Sequence, residues 1–350
     1  MFAAQALCPR RFCNLVPGVS PKAFSMSQRF SPSFWSRIPQ WFFFLASLYV
    51  GWRFILFCRY AVGAGPEAAR PAGVEGFLPI SALLGARHAL ATGTWDPVHP
   101  AGLTIFLAAL AMAFFFRKAF CGHVCPVGFV IARLGRLGQR LGLARSLPRR
   151  LEAALRAPKY LLLAFFLFTS FFGMDAASIE QFVRSSYNLT ADARMLLFFL
   201  HPGLTALIVL GCLFVLGIVF RGSFCRWLCP YGALLGLLAK IGPTSLVRDP
   251  KRCTGCGRCR KVCPMDLPVT AGPRPMECSG CASCVIACPK KASAVRFGFL
   301  GRPAPWWLTA AGACGVFALA YVAAHMAGLW QTRLPGDMLA RLYAMTLGGA

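Results

Sequence analysis

Acidic side chains are scarce. Eleven Asp and Glu stand against 37 Lys and Arg in 350 residues, a formal net charge of +26. Charged residues of either sign make up only 14% of the chain, against roughly 25% in soluble domains. Beside a hydrophobic content of 57%, that shortage excludes an ordinary soluble domain. It also excludes a basic nucleic-acid-binding chain, which would not be this apolar. No Gly-rich phosphate loop, Ser–His–Asp arrangement or nucleotide fingerprint occurs. No cleavable signal peptide is evident, because no sustained apolar region follows the twin arginine Arg10–Arg11. Residues 1–37 read as a disordered cytoplasmic N-terminus. Met26 is an alternative start that would leave Cys8 and Cys13 out of the chain.

Cysteine, by contrast, is abundant. Seventeen cysteines exceed what packing needs, and most cluster at fixed spacings between apolar segments. A secreted disulfide framework would place them in a short, loop-rich chain. A spanning helix takes about 20 mostly apolar residues. Five segments qualify or come close: 38–60, 99–116, 160–177, 195–220 and 306–330. The stretch GFLPISALLGARHALATG from Gly76 is too short and too polar to span, and reads as interfacial or re-entrant.

The loops between these segments differ in charge. Segment 117–159 carries ten Lys and Arg with Glu152 as its single acid, and 221–305 is similarly basic. Excess Lys and Arg marks the cytoplasmic side, so the N-terminus and both basic loops are expected there and the C-terminus outside. The expected fold is an α-helical polytopic membrane protein of about five spanning helices, with a cytoplasmic α+β two-cluster ferredoxin insert. Its expected division is 1–37, a membrane domain 38–248, the ferredoxin domain 249–297, and a fifth helix with the outer C-terminus in 298–350.

The insert rests on two runs. CTGCGRCRKVCP holds Cys253, Cys256, Cys259 and Cys263; CSGCASCVIACP holds Cys278, Cys281, Cys284 and Cys288. This is the C-x2-C-x2-C-x3-C-P pattern of bacterial ferredoxins, in which the fourth cysteine of each run ligates the other cluster. Cys253, Cys256, Cys259 and Cys288 are therefore assigned to one [4Fe–4S] cluster. Cys278, Cys281, Cys284 and Cys263 are assigned to the second. Structural zinc also takes C-x2-C pairs, but seldom two complete runs of four, each followed by proline. Lys251, Arg252, Arg258, Arg260, Lys261, Lys290 and Lys291 offset the negative charge of thiolate-bound clusters, and suit an acidic electron donor.

A further motif occurs twice, as CGHVCPVGF from Cys121 and CRWLCPYGA from Cys225. If the helix continues through each, its two cysteines share a face. Facing pairs would make Cys121, Cys125, Cys225 and Cys229 a four-thiolate site for Cu(I), another soft metal or an iron–sulfur centre. The plainer alternative is a redox-inert helix end stopped by proline. Cys58, Cys212 and Cys314 stand alone in apolar segments and are assigned no role.

These paired motifs, the double ferredoxin run and GVEGFLPISAL at 73–83 together resemble the polyferredoxin membrane proteins of the NapH, NosR and CcoG type, over roughly residues 38–305. The resemblance implies a multi-pass protein of the bacterial inner membrane. It would pass electrons between a cytoplasmic donor or the quinone pool and a partner reductase or oxidase system. The alternative it implies is a metalloenzyme maturation factor that handles or reduces copper. The flavin-attachment motif of NosR-type members is not found.

Overall fold

The computed structural model describes residues 35–268, 274–289 and 294–348. Cys8, Cys13, Met26, Lys290 and Lys291 lie outside these residues, as does nearly all of the expected disordered N-terminus.

Helix α1, Ile38–Ala61, starts with a proline in its first turn and runs through a mostly apolar stretch that Arg53 interrupts. It buries Phe43, Phe54 and Phe57, yet leaves Trp41, Phe42, Leu45, Leu48 and Trp52 exposed. Large apolar side chains exposed along such a length mark a surface that meets lipid. After a 3₁₀ turn at Ala72–Phe77 comes α2, Pro79–Thr92, which Gly93 closes in the left-handed conformation at φ 71°. Helix α3, Pro100–Phe116, is the hub of the bundle. Its Ala109, Met112 and Ala113 are fully buried and share a core with Phe43, Phe120, Leu235 and Ala313.

Helix α4, Pro126–Arg140, is amphipathic, and α5 runs over Arg150–Gly173, charged in its first ten residues and apolar after Lys159. Three short helices follow: α6, Ala176–Val183, capped by Asp175; α7, Ala191–Leu200; and α8, Leu204–Val219. Helix α9, Pro230–Ile241, leads into the insert. Helices α10, Leu308–Met326, and α11, Gly336–Gly348, complete the chain.

Among the described residues, α1, α5 and α10 are long and apolar enough to cross a membrane, and α7 with α8 makes a fourth if the bent pair is one span. Five spans are not reached. The expected span 195–220 is broken by an 82° bend at His201–Pro202–Gly203, where proline lacks an N–H and disfavours helix in the residue before it. The helix that carries the expected span 160–177 begins earlier, at Arg150, and stops at Gly173, because Asp175 starts a separate helix by accepting from the Ser178 N–H. The expected span 99–116 is a helix of 17 residues, short for a full crossing. Helix α11 was not foreseen: Leu339 and Tyr343 bury against Phe54 and Phe57 of α1.

The insert is closed by a three-stranded antiparallel meander of β1, Thr244–Arg248, β2, Val295–Phe299, and β3, Arg302–Ala304. Leu246 pairs with Phe297, so both side chains point into one core with Met265, Leu267 and Cys278. Ile131 and Leu134 of α4 enter the same core, which docks the insert on the helices. The strands carry this unit beyond the expected limits of 249–297 on both sides.

Candidate metal centres

The first cysteine group sits at the open end of the insert. Cys253, Cys256, Cys259 and Cys288 line one cavity of about 210 Å3, with Arg248, Arg258 and Arg260 among its walls. The loop can wrap this space because Gly255 and Gly257 have φ of 70° and 66°, where a side chain would be strained. Gly257 also caps the one-turn helix Arg258–Lys261 that presents Cys259. Cys256 is exposed. The Gly255 N–H, then the Arg248 guanidinium, lowers the Cys253 thiol pKa.

The second group lies deeper. Burial, then Cys281 and more weakly Cys278, pushes the Cys263 thiol up to about 12. Burial, then Cys278, Cys281 and Cys263, raises Cys284. These four sulfurs are therefore mutual neighbours, although Cys263 belongs to the other run. Cys259 also acts on Cys284, which sets the two groups side by side. Ala282 occupies the place that Gly257 holds in the first run and takes the same left-handed turn, at φ 58°, despite its Cβ.

Cys121, Cys125, Cys225 and Cys229 meet where α3 passes into α4 and α8 into α9. The helix does not continue through either motif, as the sequence reading had supposed. Each forms a π turn, Phe120–Val124 and Phe224–Leu228, in which the second cysteine's N–H reaches back five residues to a phenylalanine carbonyl, at 2.9 and 3.0 Å. Cys125 and Cys229 are then extended, and the following prolines open α4 and α9. The four cysteines still lie near enough to act on one another electrostatically. Burial holds the Cys121 thiol at about 12; Lys118 opposes this, and Cys125 and Cys229 add to it. Burial, then Cys229, Cys121 and Cys125, raises Cys225.

Two arginines that the sequence reading did not single out fasten the insert here. Each stands four residues before the first cysteine of its motif. Arg117, fully buried at φ 65°, donates to the carbonyls of Ala239 and Pro275. Arg221 donates to the carbonyls of Arg260, Lys261 and Cys263 and pairs with Asp266. The signal was available in the shared spacing R-x-x-F-C-x-x-x-C-P.

Between the quartet and the second group lies a buried charge cluster. Glu277, next to Cys278, pairs with Lys118 at 3.1 Å and with Lys159 of α5. Burial alone would raise the Glu277 carboxyl, but the two ammonium groups hold it below its ordinary value. The His123 side chain bridges the same gap: its Nε2 lies 3.4 Å from the Gly280 carbonyl oxygen. A small cavity is walled by Cys121 and Gly122 on one side and Ser279 and Cys281 on the other. Among the described residues, no three His, Cys, Asp or Glu side chains converge as ligands of a single metal ion.

A cavity ringed by four sulfurs, left-handed turns that free backbone N–H groups, and flanking cations suit thiolate-ligated iron–sulfur clusters. This defines the class as a membrane iron–sulfur protein. Comparison with known proteins agrees. A family described as a 4Fe-4S binding domain matches residues 98–143 and 202–248, one C-x3-C-P pair in each stretch. A second 4Fe-4S binding domain matches 246–268. The chain is 37% identical over 238 residues to the putative electron transport protein YccM of Escherichia coli, covering 67% of this chain and 66% of that protein. It is 34% identical over 198 residues to the methylamine utilization ferredoxin-type protein MauN of Methylorubrum extorquens, covering 54% of this chain and 62% of that one. The ferredoxin-type protein NapH of Haemophilus influenzae is 31% identical over 173 residues, 47% of this chain and 55% of its own. The chain thus spans between 55% and 66% of the length of these relatives. It belongs to the polyferredoxin-type 4Fe–4S proteins. No solved structure matches it.

Proposed function

We propose that this protein is a membrane-anchored electron carrier whose insert holds two [4Fe–4S] clusters. Cys253, Cys256, Cys259 and Cys288 would hold the first, and Cys278, Cys281, Cys284 and Cys263 the second. One observation carries the reading: each sulfur group draws three cysteines from one run and the fourth from the other. A zinc site has no need of that exchange, whereas paired cubanes do. Each cluster, when bound, accepts and returns one electron. The chain's own contribution is to position the thiolates, to shield the inner group from water behind Met265, Leu267 and Phe297, and to leave the outer group open to a partner through Cys256.

The basic rim and the positive-inside rule support a cytoplasmic insert on a bacterial inner membrane. Electrons would pass between a cytoplasmic donor or the quinone pool and a partner reductase or oxidase system. Cys121, Cys125, Cys225 and Cys229 form a further metal centre at the junction of insert and helices. A copper-handling maturation role would place Cu(I) on that quartet. The 4Fe-4S family match over both motifs favours the electron carrier. Iron, acid-labile sulfide and low-temperature EPR on anaerobically purified protein test the proposal. At least about eight iron atoms per chain, four per cubane, are expected; zinc with almost no iron or sulfide overturns it.

A further inference from the structure

Helix α4 carries two surfaces of different character. Ile131 and Leu134 turn into the core of the insert, and a Cβ on Gly138 would meet the Ile218 carbonyl oxygen of α8. Away from that packing, Val127, Val130, Leu137 and Leu141 recur at helical spacing and are exposed. Arg133, Arg136 and Arg140 stand three or four residues apart, in one row beside this stripe. An exposed apolar stripe flanked by arginines suits a helix lying along a membrane surface. Helix α1 fixes the level. Gln40, in the first turn of that span, donates to the Gly122 carbonyl at 2.8 Å, shortly before α4 begins.

The arginines lack counter-charges. The Arg133 Cζ lies 4.7 Å from the ring centre of Trp41 and 4.5 Å from that of Phe129. Those two rings meet edge to face with their centres 4.8 Å apart, so the guanidinium sits in the corner they make. Its Nε and Nη2 are shut from water there without a hydrogen-bond partner, which leaves Nη1 as the open edge. Arg37 repels both Arg133 and Arg136, and Arg140 repels Arg136. Among the described residues, no carboxylate comes within ion-pair range of any of the four. A half-buried cation without a partner is costly, so an anion belongs here.

Its surroundings select the kind of anion. An acidic soluble partner would have to cover an apolar stripe, and a free anion would leave that stripe bare. A phospholipid meets both demands. Its phosphodiester accepts from the guanidinium groups, while its acyl chains cover the stripe and the exposed Phe42 and Leu45 of α1. Trp41 stands where spanning helices carry tryptophan, at the level of the headgroups. We infer that Arg37, Arg133, Arg136 and Arg140, with Trp41, form a headgroup site for an anionic phospholipid held between α1 and α4. A zwitterionic lipid brings its own ammonium group and gains little from this cluster.

The test uses the full chain in detergent, stripped of lipid and titrated with phosphatidylglycerol or phosphatidylcholine, with bound lipid counted by native mass spectrometry. Phosphatidylglycerol should bind about tenfold or more tightly, and Arg133→Met/Arg136→Met should abolish that preference. Arg296→Met/Arg302→Met removes the same charge from exposed positions of the insert strands and should keep it. Equal binding of the two lipids, or equal loss in both double variants, overturns the site. Displacement of phosphatidylglycerol by inorganic phosphate would overturn the lipid in favour of a free anion. Should the first double variant fail to fold, Arg133→Lys decides, because it keeps the charge but loses the planar fork over the rings. A preference weakened by about threefold or more supports the site; an unchanged one overturns it. Iron content does not enter the readout, so failure here leaves the electron-carrier reading standing.

Discussion

Gly122 and Ser279 touch backbone to backbone: a Cβ on Gly122 would stand 2.2 Å from the Ser279 carbonyl oxygen. Each residue directly follows a cysteine, Cys121 in the quartet and Cys278 in the insert. The contact is therefore a short covalent and van der Waals route between the two sulfur groups. Gly122→Ala must push the loop away. We expect a cost of about 1–3 kcal/mol, as for other overpacked sites, and weaker magnetic coupling between the inner signals. Thermal unfolding and EPR line shape measure the two effects; unchanged coupling would show that the route lies elsewhere.

The crossed ligands make a sharper test. Cys288→Ser should remove the same EPR signal as Cys253→Ser, although 35 positions separate the two in the chain. Cys263→Ser should remove the other signal, together with Cys278→Ser. Loss of one signal by substitutions within a single run, and of the other by the second run, would contradict the exchange.

Far along the chain from these centres, Arg70 closes a buried network. Its guanidinium pairs at 2.7 Å with both Glu75 and Asp192, whose side chains are fully buried, and Tyr343 donates to Asp192. This ties α7 and α11 to the turn before α2. Arg70→Met strands two carboxylates and should cost about 3–5 kcal/mol. Tyr343→Phe should cost about 1–3 kcal/mol by leaving polar groups without a partner. Thermal unfolding in detergent checks both, with cluster spectra unaltered in the milder variant.

The rim of the outer cavity predicts a salt effect. Arg248, Arg258 and Arg260 line it, and Lys251 and Arg252 are exposed beside it. Reduction by an acidic soluble carrier should slow by about tenfold or more as ionic strength rises and screening shortens from about 30 to about 8 Å. Arg258→Glu should slow it at low salt. A rate indifferent to both changes would place the donor elsewhere.

What could be read in advance was local. Two-residue gaps between cysteines record how a loop wraps a cubane, so the grouping of Cys253 with Cys256 and Cys259 is written in adjacent positions. The apolar run of α1 is equally plain. The bend between α7 and α8 was signalled by Pro202, but an apolar average over 195–220 hides a single proline. The π turns at Cys121 and Cys225 could not be read, because a pair spaced four apart fits an α turn as well. The meeting of Lys118, Lys159 and Glu277 depends on three segments folding together, and no spacing encodes it. Tyr343 belongs to the same kind: its partners, Arg70 and Asp192, are fixed only once α11 returns to α1.

The arginines and lysines at the junction bear on how the protein is made. Arg117, Arg221, Lys118 and Lys159 take carbonyls and carboxylates from the insert: Pro275, Cys263, Asp266 and Glu277. Until those acceptors arrive, Arg117 keeps only the Ala239 carbonyl of α9, and Lys118 and Lys159 lack Glu277. The lipid-embedded half therefore settles together with the part it carries, and a chain whose insert has not folded stays open at this seam.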